Sequence, residues 1–240
     1  MLLRAYRSVL AQILPNNWSL EWIVQDDGDV PVLSDFLPMD DRRISYSYNG
    51  QHSGTAITRN LALSRASGKY VRVLDDDDEL LPGAIAQDIR ILEDNPGVAW
   101  TTSRAIDKLP DGTEFLPNQI LPAGKIPIGG MFDIWIQSDG VPPVHPATLC
   151  ARIEVIRAFG GWMALPVSDD VGLLMAMSLL LPGYFAPLVS MQYNKSDIQI
   201  TSSEYSKSKR SKEQRMTAIR QRVESMSELR ELFVPQKETR

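Results

Sequence analysis

Residues 69–82 read KYVRVLDDDDELLP, and this stretch decides the fold. Tyr70–Leu74 is a short apolar run bounded by polar and turn residues, the pattern of a strand buried on both faces. It runs straight into four adjacent carboxylates, Asp75, Asp76, Asp77 and Asp78. Like charges packed this closely repel by ~1 kcal/mol per pair even in water. A positive partner relieves that repulsion. Hard divalent cations take oxygen ligands, and Mg²⁺ is typically held by one or two carboxylates together with substrate phosphates. Ligands of open α/β sheets bind at the carboxyl ends of strands. A metal-bound phosphate ligand is therefore expected at this strand end. The alternative is an acidic, solvated turn, since Asp is a common turn residue.

Two other uses of the acids fail on spacing. A calcium loop needs Gly at its sixth position and Glu at its twelfth. Counted from Asp75 these are Leu80 and Ala86. A phosphatase with an aspartyl nucleophile resembles strand-D-x-D-x-[TV], and the fifth residue here is Glu79.

Upstream, Leu2–Leu14 carries Leu3, Tyr6, Val9, Leu10 and Ile13 on one helical stripe, ended by Pro15-Asn16-Asn17. Leu20–Gln25 reads as a strand running into Asp26-Asp27-Gly28-Asp29, a second acidic strand end. Ile44–Tyr48 is a short strand, and Thr55–Ala66 a helix carrying Arg59-Asn60 and stopped by Gly68. Downstream, a helix runs from about Pro82 to Asp94 and a strand from Val98 to Ser103. Residues 107–130 are rich in Pro and Gly and read as loops, with a hairpin at Pro110-Asp111-Gly112. A short helix over Met131–Gln137, a strand over Ala147–Arg152 and a helix over Ile153–Phe159 follow. Val171–Leu181 is the most apolar segment and is too short to span a bilayer, so it reads as a buried helix. Tyr184–Tyr193 is one more strand. Strands alternating with helices predict an α/β fold with one mostly parallel sheet. The two acidic strand ends then share one crevice.

From Ser196 the composition turns to Ser, Lys, Arg, Glu and Gln. Met216, Ile219, Val223, Met226 and Leu229 make one apolar stripe, which predicts a helix docked on the surface. Its basic residues also suit peripheral contact with anionic lipid. The domain expectation is 1–195 as one unit, with 196–240 as a helical tail. The net charge of −5 argues against a nucleic-acid partner. Cys150 is the only cysteine, so no intrachain disulfide can form and no oxidising compartment is indicated. The first residues, MLLRAYRSVLAQ, lack the features of a secretory signal. A cytoplasmic location is expected, with the C-terminal helix as a peripheral membrane contact.

Four segments, in order, resemble the family 2 glycosyltransferases, which have the GT-A fold. SVLAQ (8–12) resembles the helix motif after the family's first strand, and WIVQDDGD (22–29) its strand-D-D-G-S. Residues 54–85, GTAITRNLALSRASGKYVRVLDDDDELLPGAI, resemble its G-x-A-x-A-R-N…A-x-G-x-[YF]…L-D-x-D-D…P motif. GGWMALPVSDD (160–170) resembles its G-G-[FW]…[ED]-D motif.

The resemblance implies a metal-dependent, inverting transfer of a sugar from a nucleotide-sugar donor to an acceptor hydroxyl. It also implies that residues 1–100 bind the donor and 101–195 the acceptor, which would be a glycan, a lipid-linked sugar or a small molecule. Asp26 and Asp27 would lie against the nucleotide base, and Arg59 would help hold the donor. Asp75 and Asp77 make the D-x-D: Asp77 would ligate Mg²⁺ or Mn²⁺ directly, and Asp75 would bind the ribose or a metal-bound water. Asp76 joins the donor-binding set, and Asp78 supports it from behind. Asp170, with Asp169 beside it, falls at the family's catalytic base. Taken without the resemblance, either acid also suits a helix N-cap. His145 is a weaker candidate for the acceptor side or for a third metal ligand, His52 reads as a solvated loop residue, and Trp162 as core or pocket wall. The family's first strand has no counterpart in these 240 residues. The competing expectations are a start placed too late, a fragment, or an inactive nucleotide-sugar-binding or scaffold copy.

Overall fold

The computed structural model describes residues 1–196, 199 and 203–233. Helix α1 (Leu2–Leu10) leads to β1 (Trp22–Asp26), β2 (Ile44–Tyr48), α2 (Thr55–Arg65) and β3 (Tyr70–Arg72). After β3 come β4 (Glu79–Leu80), α3 (Ala84–Asp94) and β5 (Trp100–Lys108). The next elements are β6 (Glu114–Phe115), β7 (Gly124–Ile126), α4 (Gly130–Gln137), β8 (Cys150–Arg152) and α5 (Ile153–Ala158). The chain continues through α6 (Asp169–Leu180), β9 (Gly183–Asn194), α7 (Glu204–Lys207) and α8 (Lys209–Phe233).

The α/β arrangement is as expected, but the strands fall into two sheets instead of one. β1 and β2 pair in parallel as a two-stranded sheet. The larger sheet has the order β3-β8-β5-β9-β4, with β6 added to β5 and β7 to β9. Within it only β5–β9 is parallel, and the other pairs are antiparallel. Alternation along the chain predicts parallel crossovers. It does not register short strands such as β4 and β8, which enter the sheet against its main direction. β6 with β5 forms the hairpin anticipated around Pro110–Gly112.

The core lies between the larger sheet and α4, α6 and α8. α6 is apolar on every side, which is the mark of an enclosed helix. Leu173, Leu174, Met175, Ala176 and Met177 are fully buried accordingly. Ile219 and Val223 of α8 are buried against that core, with Met216 and Met226 packed beside them. Leu229, the fifth residue of the stripe, is exposed. The tail helix is therefore docked over residues 211–226, where Ser211 and Arg215 are buried as well. No helix among the described residues is long and apolar enough to cross a membrane.

α1 is tied to the strand that follows the acidic turn. Ser8 Oγ accepts the Leu80 N–H at 3.0 Å, and the Gln12 amide donates to the Leu81 carbonyl at 3.0 Å. β3 is pinned from below by Arg72. Its guanidinium pairs with buried Asp88 at 2.9 Å and donates to the Thr148 carbonyl and to Ser190 Oγ. Breaking such a buried pair leaves an uncompensated charge, so Arg72 and Asp88 hold the base of the acidic strand end in place.

Candidate active site

The ends of β1 and β3 open into one cavity of about 580 Å³, lined by Asp26, Asp27, Arg59, Asp75 and Asp76 among others. The two acidic strand ends therefore share a crevice, as the sequence predicts. Trp162 also lines it and is buried, which makes it a wall residue.

Asp27 organises the loop between β2 and α2. Its carboxylate accepts the backbone N–H groups of Ser53 and Gly54 and the Asn49 side-chain amide. Burial works to raise its pKa, but these hydrogen bonds hold it below the usual carboxylate value. Gly54 has φ +87°, a left-handed conformation that costs glycine nothing, and this turns its N–H toward Asp27. His52 is exposed, as expected of a loop residue, with Nδ1 2.9 Å from Asp27 Oδ2. Asp26 is buried and accepts from the Tyr46 hydroxyl and the Gly28 N–H.

Arg59 is the hub. One guanidinium nitrogen donates to Asp75 Oδ1 at 2.5 Å and another to Asp169 Oδ2 at 2.8 Å. Burial opposes its charge, yet the charges of Asp75, Asp169 and Asp170 raise its pKa overall. Arg59 therefore spans the acidic turn and the start of α6.

The four acids of the turn separate by environment. At Asp75, burial raises the pKa, but Arg59 overcomes this and holds it below normal. Asp76 is exposed; desolvation in the crowded turn, then the charges of Asp77 and Asp75, push its carboxyl up. Asp77 accepts from the Gln199 amide at 2.9 Å. Asp78 is fully buried: one oxygen accepts the Asn194 N–H at 2.9 Å and the other has no hydrogen-bond partner among the described residues. Burial pushes its pKa up to about 8, so it is a neutral acid at pH 7.

Asp169 and Asp170 open α6. Asp169 is buried against Arg59, whereas Asp170 is only half-buried and takes the Val171 N–H at 2.7 Å. Burial raises both carboxyls above their usual value. The N-cap of α6 is Ser168, not either acid, so the expected cap is instead a pair of first-turn acids, with Asp169 tied to the acidic rim through Arg59.

Asn60 is the residue that motif reading passed over. Its amide donates to the Trp162 carbonyl at 3.0 Å, and its oxygen accepts the Trp162 N–H at 2.9 Å. It clips the Gly160-Gly161-Trp162 loop to α2, and so fixes where α6 starts relative to Arg59. The signal was present, since Asn60 adjoins Arg59 within the quoted motif. Asn49, Asn194 and Gln199 were also missed; they stand outside any motif quoted. His145 lies tilted against Tyr193, with ring centroids 4.4 Å apart and planes at 47°, and its Nδ1 is buried without a hydrogen-bond partner among the described residues. Burial lowers its pKa, against the charges of Asp75 and Asp107. Among the described residues, no group of three His, Cys, Asp or Glu side chains is arranged as a metal cage. The donor set still suits Mg²⁺ or Mn²⁺, because such ions are held by one or two carboxylates plus phosphate oxygens, and Asp75 and Asp77 supply those.

The fold and site define an α/β protein of the GT-A class. The solved structure of Staphylococcus aureus TarS 1–349 in complex with UDP-GlcNAc superposes with a TM-score of 0.66 at 16% identity, over 85% of this chain and 57% of that one. Residues 1–137 match the model of Glycosyl transferase family 2, and the chain belongs to that family. Among curated relatives, an Escherichia coli (strain K12) protein named for a colanic acid biosynthesis glycosyl transferase is 37% identical over 87 residues, 35% of this chain and 30% of its own length. The Campylobacter jejuni GalNAc(5)-diNAcBac-PP-undecaprenol beta-1,3-glucosyltransferase is 44% identical over 71 residues, 28% of this chain and 23% of its own. The chain thus matches less than a third of the length of either relative.

Proposed function

We propose that this chain transfers one sugar from a nucleoside diphosphate sugar to an acceptor hydroxyl, with inversion at the anomeric carbon. One observation carries this reading: Arg59 joins the end of β3 to the start of α6, so the donor-side acid Asp75 and the pair Asp169–Asp170 meet at one rim. Family membership and the UDP-GlcNAc complex of the structural neighbour support a nucleotide-sugar donor.

Asp77, with Asp75, would hold Mg²⁺ or Mn²⁺. When bound, the cation would stabilise negative charge on the leaving diphosphate. The Asp27-bound loop would wall the nucleotide base. Asp170 is the better base of its pair. Asp169 is committed to Arg59, while Asp170 is half-buried and burial raises its carboxyl above the usual value, which favours taking up a proton. One base and one face of attack give inversion, without a second nucleophilic carboxylate. Residues 101–195 would meet the acceptor.

A thermal-shift panel of nucleoside diphosphates and their sugars, with and without Mn²⁺, tests the reading. A cation-dependent shift with one nucleotide-sugar, followed by its turnover, supports it. No shift with any member of the panel removes it.

A further inference from the structure

The loop that leads toward Asp169 and Asp170 is gripped from two sides, and the grip opposite Asn60 comes from the tail helix. α5 ends at Ala158, with Phe159 as its C-cap, where helix carbonyls are left without helical partners. Arg222 of α8 donates Nη2 to the Phe159 carbonyl at 2.7 Å, as cationic side chains do at helix C-termini. Gly160 and Gly161 follow with φ +76° and +72°. Two glycines in succession have no side chain to fix their path, so the residues on either side must set it. On the far side Trp162 is held by Asn60. The near side is held by Arg222.

α8 is anchored independently of that loop. Lys212 pairs with Asp139 at 2.6 Å, and a Cβ at Gly140 would stand 2.4 Å from Met216 Sδ. α8 also meets α6 directly: a Cβ at Gly172, two residues beyond Asp170, would stand 3.6 Å from Ile219 Cγ1 and 3.2 Å from Met163. The helix is thus a fixed reference for both the loop and the first turn of α6. Arg222 itself is half-buried, and its Nη1 is enclosed without a hydrogen-bond partner among the described residues. Burial opposes its charge and lowers its pKa. Packing alone would favour an apolar side chain at this position. What the guanidinium supplies is the bond to Phe159.

We propose that Arg222 is a positioning residue for the candidate base. From the anchored α8 it fixes the Phe159–Trp162 loop, and with it the placement of α6 and Asp170 against the Arg59–Asp75 rim. It touches no substrate and acts through the loop alone. The catalytic part of this inference rests on the donor reading given above.

The test compares Arg222→Met, Arg222→Lys and Met216→Ala in the 240-residue protein. Met keeps an apolar stem and loses the bond, whereas Lys can still donate to the carbonyl. The first readout, taken without nucleotide-sugar, is amide hydrogen exchange at Gly161 and Trp162, whose N–H groups bond the Ile156 carbonyl and Asn60 Oδ1. Arg222→Met should speed this exchange roughly tenfold or more, the worth of one charged hydrogen bond. Arg222→Lys should restore most of the protection. The second readout splits kcat from KM. In Arg222→Met, kcat should fall about 10- to 100-fold, because a misplacement of about 1 Å is enough for that. The donor KM should hold, since the donor-side acids follow β1 and β3. Met216→Ala removes packing from the same helix without touching the loop; it should lower the melting temperature and leave exchange and kcat in place. The inference is overturned if Arg222→Met leaves exchange unchanged, if exchange rises while kcat stays, or if Met216→Ala slows turnover as much as Arg222→Met does. A wild-type protein that turns over no nucleotide-sugar removes the donor reading instead, while the exchange readout still upholds or overturns the hold of Arg222 on the loop.

Discussion

Arg59 and Asp169 lie 110 residues apart in sequence and meet at 2.8 Å. The contact joins the helix before the acidic strand to the helix that begins at the candidate base. It is only 4% exposed on the Asp169 side. It therefore acts as a rigid strut between the two halves of the site, and its loss leaves a carboxylate buried without a cation.

Replacing Arg59 by Met tests the strut. Removing one partner of a buried pair costs about 3–5 kcal/mol. The lower end applies here, since Asp75 is 35% exposed and water can screen it. Denaturant unfolding should show that loss. Arg59→Met combined with Asp169→Asn should recover part of it, because the stranded charge is then gone. A double variant no more stable than the single one contradicts the strut.

Asp77→Asn should leave the melting temperature of the protein unchanged within a few degrees. Removing one electrostatic contact to the transition state lowers turnover on the order of 100-fold or more, and the residual rate should lose its response to Mn²⁺. Steady-state transfer assays across a Mn²⁺ titration give the result. A variant with undiminished cation response would place the cation elsewhere.

Gly161 is constrained twice. Its φ is +72°, and a Cβ there would stand 2.0 Å from Asn60 Oδ1. Gly161→Ala must therefore push Asn60 away from Trp162 and break the clip. A cost of about 1–3 kcal/mol is expected from the strained backbone alone. Turnover should fall with it, because α6 shifts relative to Arg59. A crystal structure of the variant with the Asn60–Trp162 pair intact would refute this.

Much of this site was legible in the sequence, and the reason is physical. Strand ends rich in Asp and an apolar run too short for a membrane are local patterns, so Asp27, Asp75 and α6 could be placed from them. The partners of those residues were not legible. Arg59 looks like a surface helix residue until α6 is brought against α2, and Asn60 until the Gly160–Trp162 loop lands beside it. Strand direction was equally hidden. β8 is three residues long, with no periodicity of its own, and only pairing with β3 and β5 shows it running against them. The tail was half-readable: its stripe predicts docking, but not that Leu229 lies beyond the core.

Asp78 should make stability fall as pH rises. Its pKa is 3.8 in the unfolded reference and about 8 when folded, because burial disfavours its charge. Between those values the folded protein binds more protons than the unfolded chain, so the slope of unfolding free energy with pH is negative. The stabilisation is fully present below about pH 4 and is lost as pH passes through about 8. Asp78→Asn keeps the shape and removes the titration. Melting curves from pH 4 to 9 in chelator should be flatter for the variant, with its relative advantage growing toward pH 9. Parallel curves would mean that Asp78 is charged in the folded state.

Asp170→Asn separates a base from a first-turn acid that merely supports the helix start. Asp170 accepts the Val171 N–H within the first turn of α6, beyond the N-cap Ser168. Asn keeps a side-chain oxygen that can accept this N–H, so the substitution preserves the bond and most of the stability. It cannot take a proton from an acceptor hydroxyl, and general-base catalysis contributes about 10²–10⁴-fold. The expected outcome is a loss of that size in kcat, with donor Kd and melting temperature unchanged. The wild-type rate should also fall as pH drops, with its acid limb above the ordinary carboxylate range, because burial raises the Asp170 pKa. That limb should be missing from the residual activity of the variant. Asp169→Asn should behave differently, because Asp169 is bound to Arg59: stability changes while the acid limb remains. If both variants lose activity and stability together, the two acids serve only to start α6, and the base must be sought elsewhere on the rim.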